Sequence, residues 1–132
     1  MLDTNICIHL MQQHPPEVLA RIAQLQLGDA VMSVITYAEL RFGVSRMSAA
    51  TGEAAQADQA LAQLIEDIPV LPFDESAGVS YGVLRAAVRD RQRNALDRLI
   101  AAHALAERLT LVTNNEADFK AYPGLTLENW IG

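Results

Sequence analysis

Met1-Leu2-Asp3-Thr4-Asn5 opens the chain, and this stretch decides how the rest of the sequence is interpreted. The apolar start ends at Asp3, and residues 6–11 have the pattern of a helical turn that follows a very short strand. A carboxylate beside an apolar run is costly to bury unless a cation or a hydrogen-bond network holds it. Three further acids stand beside strongly apolar runs: Glu39, Asp97 and Asp118. If the four acids meet in space, they predict a divalent-metal site and phosphodiester chemistry.

Helical and strand-like segments alternate along the chain, which indicates an α/β domain with a parallel sheet. A length of 132 residues predicts one domain, residues 1–132. Pro72 favours an edge position for the third strand, and Trp130 is expected to close the core. The predicted strands are residues 2–3, 30–32, 70–73, 110–113 and 125–127. The predicted helices after the first turn are residues 15–27, 33 or 36 to 47, 52–67, 74 or 76 to 91, and 95–107.

The carboxyl ends of the strands are the place to look for a site, because ligands collect there in open parallel sheets. Asp3 ends the first predicted strand, and Asp118 follows the fourth by about one helical turn. Asp97 lies in the first turn of its helix and shares a face with apolar residues at positions 100, 101 and 104, so its carboxylate should pack inward. Each acid also has an ordinary alternative: a turn residue for Asp3, an exposed helical glutamate for Glu39, and helix or turn capping for the other two.

The charge balance argues against a protein that coats DNA or RNA by electrostatic attraction, because the net charge is −6. It does not argue against a metal nuclease, since bound divalent ions reverse the sign of an acidic cleft. Five arginines fall between residues 85 and 98, and Arg91 and Arg93 are the candidates for contact with RNA phosphates. A solvated helix face is the alternative interpretation of this arginine-rich segment.

The ligand types favour Mg²⁺ or Mn²⁺, which prefer oxygen ligands. Zinc is disfavoured because the three histidines are far apart in sequence and the only cysteine, Cys7, has no partner. His103 is expected to be a packed core residue. A single cysteine, with no signal peptide and no apolar run of about 20 residues, suits a reducing cytoplasm and no membrane span.

Several stretches resemble the PIN-domain toxins of the VapC type. Residues 1–8 (MLDTNICI) resemble the opening of such toxins, and residues 33–43 (SVITYAELRFG) resemble their second motif. Residues 97–104 (DRLIAAHA) and 111–119 (LVTNNEADF) resemble the third and fourth, and residues 123–130 (PGLTLENW) the usual ending. Two features differ from many members: residues 91–96 run directly into Asp97 without a longer Gly/Pro loop, and only two residues precede Asp3.

The resemblance implies a PIN fold with a central parallel β-sheet of about five strands flanked by α-helices. It implies that Asp3, Glu39 and Asp97 form the acidic core, that Asp118 is the fourth acid, and that Asn5 and Thr113 orient the carboxylates or a bound water. The implied activity is Mg²⁺- or Mn²⁺-dependent endoribonuclease cleavage of RNA by the toxin of a type II toxin–antitoxin system. The implied partners are a small VapB-type antitoxin and a second copy of the chain. The alternatives are a catalytically weak PIN scaffold that binds another protein, and a structure-specific DNA nuclease.

Overall fold

The strands of the computed structural model form one parallel sheet within the residues that the structure describes, 1–88 and 95–131. They are β1 (Met32–Ser33), β2 (Val70–Leu71), β3 (Leu111–Val112) and β4 (Leu127–Glu128). β1 pairs with β2, and β3 pairs with β4. Leu2 makes a parallel bridge to Met32 on one side and to Val112 on the other, so it joins the two pairs. The order is therefore β2-β1-Leu2-β3-β4, which confirms the predicted parallel sheet of about five strands and the edge position of the strand before Pro72.

Helices connect the strands, as the alternating sequence pattern predicts. Those in the described part of the chain are α1 (Thr4–Gln12), α2 (Pro16–Ala23), α3 (Val34–Ser45), α4 (Glu53–Asp67), α5 (Glu75–Ala87) and α6 (Ala95–Ala106), with a 3₁₀ helix at Glu116–Asp118. Asp3, Ser33 and Asp74 cap α1, α3 and α5, each accepting a hydrogen bond from a first-turn amide. Two of these caps also lie at strand ends: Asp3 follows Leu2, and Ser33 is the last residue of β1. The ends of these strands therefore coincide with the starts of α1 and α3 at the carboxyl edge of the sheet.

The sheet separates two apolar layers, and the alternation of side chains along the strands shows why. Leu2 and Val112 pack with α1, α2 and α4, whereas their neighbours Met1 and Leu111 pack with α5 and α6. Trp130 is buried in the first of these layers, as expected. Alternate strand residues therefore bury opposite faces of the sheet, and the helices cover both.

Several predicted element ends were wrong by a few residues. The second helix ends at Ala23 instead of continuing to Leu27, and Leu27 is 76% exposed, so no burial of this side chain favours a longer helix. α5 ends at Ala87 because Val88 adopts an extended backbone, and residues 89–94 lie outside the described part of the chain. None of the helices in the described ranges is long and apolar enough to cross a membrane. The single domain 1–132 stays a prediction.

Candidate metal centre

Asp3 is fixed between the two central strands and caps the helix that follows it. Its backbone amide donates to the Val112 carbonyl at 2.9 Å, and its Oδ1 accepts from the Ile6 amide at 2.9 Å. The side chain is buried, and burial raises the pKa of its carboxyl. Hydrogen bonds from the Thr113 hydroxyl and the Ile6 amide oppose that rise, whereas the charge of Glu39 adds to it. Asp3 therefore combines a structural capping role with a carboxylate that is costly to keep ionised.

Glu39 reaches the same region from α3 and is held by a residue of α1. The hydroxyl of Thr4 donates to Glu39 Oε1 at 2.6 Å, and Thr36 Oγ1 lies 3.2 Å from Thr4 Oγ1. Because Thr4 follows Asp3 directly, this bond brings Glu39 beside the first acid. Thr36 is fully buried one turn before Glu39, so the polar face of α3 is directed inward here and not into solvent.

Asp97 lies in the first turn of α6, as predicted, and its apolar neighbours on that face, Ile100 and Ala101, are buried. Burial is the largest cause of the rise in the pKa of Asp97 to about 6. The next causes are repulsion by three carboxylates: Asp118, Glu39 and Asp3, in that order. The fold thus brings all four acids, which are separated by up to 115 positions in sequence, within electrostatic range of one another.

Asp118 and Thr113 follow β3, and Asn5 lies in α1. Thr113 and Asn5 are the two residues predicted to orient the carboxylates or a bound water. Asp118 lies in the 3₁₀ helix, and its Oδ2 accepts from the side-chain amide of Asn115. The buried Thr113 hydroxyl accepts from the Asn115 amide at 3.0 Å and bonds to Asp3, so it connects the loop of the fourth acid to the first. Asn5 is exposed in the first turn of α1 and lines the groove described below.

These residues fit a hard divalent cation by their chemistry, although they do not form a complete coordination shell. Among residues 1–88 and 95–131, no group of three His, Cys, Asp or Glu side chains is arranged to hold a metal ion. Mg²⁺, however, usually keeps several waters and is held by only one or two carboxylates. Burial is the largest cause of the rise in the pKa of Asp97, and repulsion by Asp118, Glu39 and Asp3 adds to it. A cation bound among the acids would remove this repulsion.

A groove of about 1130 Å³ begins at Glu39 and runs between α1, α3 and α4. Its acid end is lined by Thr4, Asn5, Glu39 and Leu96. The rest is mainly apolar and includes Phe42, which is 64% exposed. The site is therefore open to a large ligand on this side.

The arginine-rich segment is only partly described. Arg91 and Arg93 lie outside the described residues. Arg98 is 3% exposed, and the pKa of Tyr81 is lowered by hydrogen bonds from Arg85 first and then from Arg98. Arg98 is therefore buried between α5 and α6 and does not belong to an exposed arginine face. Arg85 is exposed and donates to Tyr81 at 2.9 Å.

Residues 1–125 match the family model described as the PIN domain. The chain belongs to the PIN-domain family. This PIN domain is 36% identical to Ribonuclease VapC2 of Rickettsia felis, over 98% of the chain and 96% of that protein. It is 33% identical to the tRNA(fMet)-specific endonuclease VapC of Shigella flexneri, over the same shares. The resemblance to VapC-type proteins inferred from the motifs is thus confirmed.

Solved structures agree with the sequence comparison. The crystal structure of VapBC2 from Rickettsia felis, bound to a DNA fragment from the promoter, contains a chain similar to this PIN domain with a TM-score of 0.88. That chain is 34% identical, and the match covers 99% of this PIN domain and 98% of the other. FitAcB from Neisseria gonorrhoeae gives a TM-score of 0.82 at 29% identity, covering 98% and 96%.

Sequence reasoning missed two polar residues that support the acids. Thr4 holds Glu39, and Ser33 caps the helix that carries Glu39. A cap at Ser33 could have been found from its place before a helical pattern. The Thr4 contact has no local signal, because its partner lies 35 residues away.

Proposed function

We propose that this PIN domain is the toxin of a type II toxin–antitoxin system and acts as a divalent-metal-dependent endoribonuclease. The observation that carries the proposal is the convergence of the acids: Thr4, next to Asp3, donates to Glu39 at 2.6 Å, and Asp118, Glu39 and Asp3 all act on the pKa of Asp97. An acidic cluster at the carboxyl ends of parallel strands suits a cation and a phosphodiester substrate. Support comes from full-length similarity to proteins named as a ribonuclease and as a tRNA-specific endonuclease.

Each acid has a distinct part in the proposed site. Asp3 and Asp97 would hold Mg²⁺ or Mn²⁺, directly or through water, with Glu39 assisting. Asp118 would hold a second ion or orient the attacking water from its position after β3. Thr113 and Thr4 keep Asp3 and Glu39 in place by donating hydrogen bonds to their carboxylates. When bound, the cation would lower the pKa of the attacking water and neutralise charge that develops on the phosphate.

The proposed partners follow from the similar complexes. Structures named VapBC from Rickettsia felis and Salmonella typhimurium resemble this chain over 99% of its length. We therefore propose a VapB-type antitoxin as the inhibitory partner and RNA as the substrate. A homodimer stays a prediction, which sedimentation of the isolated chain would check. A reducing cytoplasm as the site of action also stays a prediction.

Asp3→Asn is the direct test, because asparagine is as good a helix cap as aspartate but carries no charge. The variant should fold normally and lose RNA cleavage by at least about 100-fold, as expected for removal of a metal ligand in a site that depends on metal electrostatics. Asp74→Asn is the matched control, since Asp74 caps α5 through the Ala77 amide at 3.0 Å and is not one of the four acids. Full cleavage by Asp74→Asn together with near-normal cleavage by Asp3→Asn would refute the proposal.

Two further measurements separate the alternatives. Calorimetry with Mn²⁺ distinguishes an enzyme from a catalytically weak scaffold, because a scaffold need not bind metal. Parallel assays on RNA, single-stranded DNA and flap DNA distinguish a ribonuclease from a structure-specific DNA nuclease. Cleavage of RNA that stops with EDTA and returns with Mn²⁺ is the expected result.

A further inference from the structure

His103 is a fully buried titratable residue that the proposed chemistry does not use. It lies in α6, six residues after Asp97, and its Nδ1 is 2.7 Å from Ser33 Oγ. Phe73 packs edge-on against its ring at a centroid distance of 5.4 Å. The prediction of a packed core histidine is confirmed, but the ring also makes a specific polar contact with a different layer of the fold.

The partner of His103 is placed to act on α3. Ser33 is fully buried, ends β1 and caps α3, and its Oγ accepts from the Ile35 amide at 3.0 Å. The hydroxyl also has one proton to give, so in the tautomer with the ring proton on Nε2 it donates to His103 Nδ1. Ser33 therefore joins the first turn of α3 to the middle of α6 through one oxygen.

Burial disfavours the charged form of the His103 ring. Burial lowers its pKa, while Glu107, Asp74 and the Pro72 carbonyl oppose that change. Nε2 makes no hydrogen bond of good geometry within the described ranges, although the Pro72 carbonyl is close enough to influence the ring. The contact that defines the position of the ring is thus the one between Nδ1 and Ser33.

The same two helices carry acids that repel each other. Glu39 follows Ser33 by six residues, and His103 follows Asp97 by six, so each acid stands about 9 Å along its helix axis from the hydrogen bond. Repulsion between Glu39 and Asp97 tends to separate α3 from α6 at the acid end. A buried hydrogen bond between the helices resists that separation, because breaking it leaves polar groups unsatisfied.

We propose that the Ser33–His103 hydrogen bond is a positioning pair that sets the separation of Glu39 and Asp97, and thereby the affinity of the site for a divalent cation. The effect on the cation rests on the proposed function. The effect on the helix separation is a property of the metal-free chain. If His103 only packed the core, a side chain of similar volume would replace it without any hydrogen bond to Ser33.

Two amide replacements of His103 separate positioning from packing. In His103→Asn the side-chain oxygen has a reach similar to Nδ1 and can still accept from Ser33, whereas His103→Gln places the same group at the reach of Nε2. Mn²⁺ affinity of the purified, folded proteins is measured by calorimetry. His103→Gln should lose about tenfold, the lower end for groups that orient metal ligands, and His103→Asn should stay within about threefold of wild type.

Controls make this result decisive. Val18→Ala removes buried volume from α2, away from the acids, and should lower stability without changing Mn²⁺ affinity. Ser33→Gly keeps the ring and removes the bond, and glycine is tolerated at the N-cap of α3, so this variant should reproduce the loss and serves if His103→Gln does not fold. Equal Mn²⁺ affinities for His103→Asn and His103→Gln, whether both normal or both weakened, would overturn the positioning role.

A distance measurement in EDTA tests the same idea without metal. Nitroxide labels introduced at Ala38 and Leu96, both exposed beside the acids, report the separation of α3 and α6, and buried Cys7 should not react. His103→Gln should lengthen the distance by about 2 Å, the size of common helix shifts, and His103→Asn should not. Failure of wild type to bind Mn²⁺ would refute the proposed function, whereas an unchanged distance in His103→Gln would refute the positioning pair.

Discussion

Replacing Asp97 with asparagine should stabilise the metal-free protein while it removes the activity. The pKa of Asp97 rises from 3.8 to about 6 because the side chain is half-buried and three other carboxylates repel it. A rise of that size corresponds to about 3 kcal/mol of unfavourable free energy in the ionised folded state. Partial exposure to solvent screens part of it, so we expect Asp97→Asn to gain about 1–2 kcal/mol at pH 7.5.

The gain should depend on pH in a defined direction. Because the pKa of Asp97 is higher in the folded than in the unfolded protein, the folded state binds more protons between about pH 4 and pH 6. The contribution of this group to stability is therefore most favourable below pH 4 and is lost as the pH rises through 6. The asparagine of the variant cannot ionise, so the advantage of Asp97→Asn should be full above pH 6 and should vanish near pH 4.

Urea unfolding in EDTA at several pH values measures this difference. Asp74→Asn is again the matched control and should change the free energy of unfolding by less than about 0.5 kcal/mol at every pH. Added Mn²⁺ should stabilise wild type more than Asp97→Asn, because a ligand stabilises only the state that binds it. A variant that is no more stable than wild type at pH 7.5, or whose advantage is the same at pH 4 and pH 7.5, would contradict the electrostatic account.

Three other predictions concern the groups around the acids. Thr113→Val removes a donor that opposes the rise in the pKa of Asp3, so the acid limb of the pH–rate profile should move to higher pH; an unmoved limb would contradict this. Thr4→Val should weaken Mn²⁺ binding about tenfold by calorimetry, because the acid on α3 loses its donor at 2.6 Å; wild-type affinity would show that this donor is dispensable. Replacing Arg91 and Arg93 together with alanine should reduce the salt dependence of single-stranded RNA binding by a slope of roughly 1.4, and an unchanged slope would favour the solvated-face interpretation.

The sequence predicted the parts of the site that depend on local pattern. Asp3 directly follows the apolar residues Met1 and Leu2, so the pattern predicts that it lies at the end of the first strand. Asp97 shares a helix face with Ile100 and Ala101, and both are buried as that spacing predicts. The strand–helix alternation then requires these ends to meet at one edge of a parallel sheet.

Local pattern could not predict contacts between distant segments. The bond from Thr4 to Glu39 spans 35 residues and the contact of Ser33 with His103 spans 70, and neither pair has a periodic signal. Arg98 was grouped with the surface arginines because it is near them in sequence, yet its helix turns it into the interior beside Tyr81. Helix ends were also inaccurate, since each depends on one or two backbone angles more than on side-chain period.

Two of the acids accept hydrogen bonds that stabilise their ionised carboxylates, from a backbone amide as well as from side-chain hydroxyls. Asp3 receives an amide at the start of α1 and the hydroxyl of Thr113, and Glu39 receives the hydroxyl of Thr4. Among the described residues, no hydrogen bond contributes to the pKa of Asp97, and the dipole of its own helix is worth about 2 kcal/mol at most in a partly buried position. Three acids raise the pKa of Asp97, whereas Glu39 is the acid that raises the pKa of Asp3, so repulsion acts on Asp97 from more sides than on Asp3. A divalent cation would therefore gain the most binding free energy beside Asp97. This preference would come from the negative charge that the described residues do not offset.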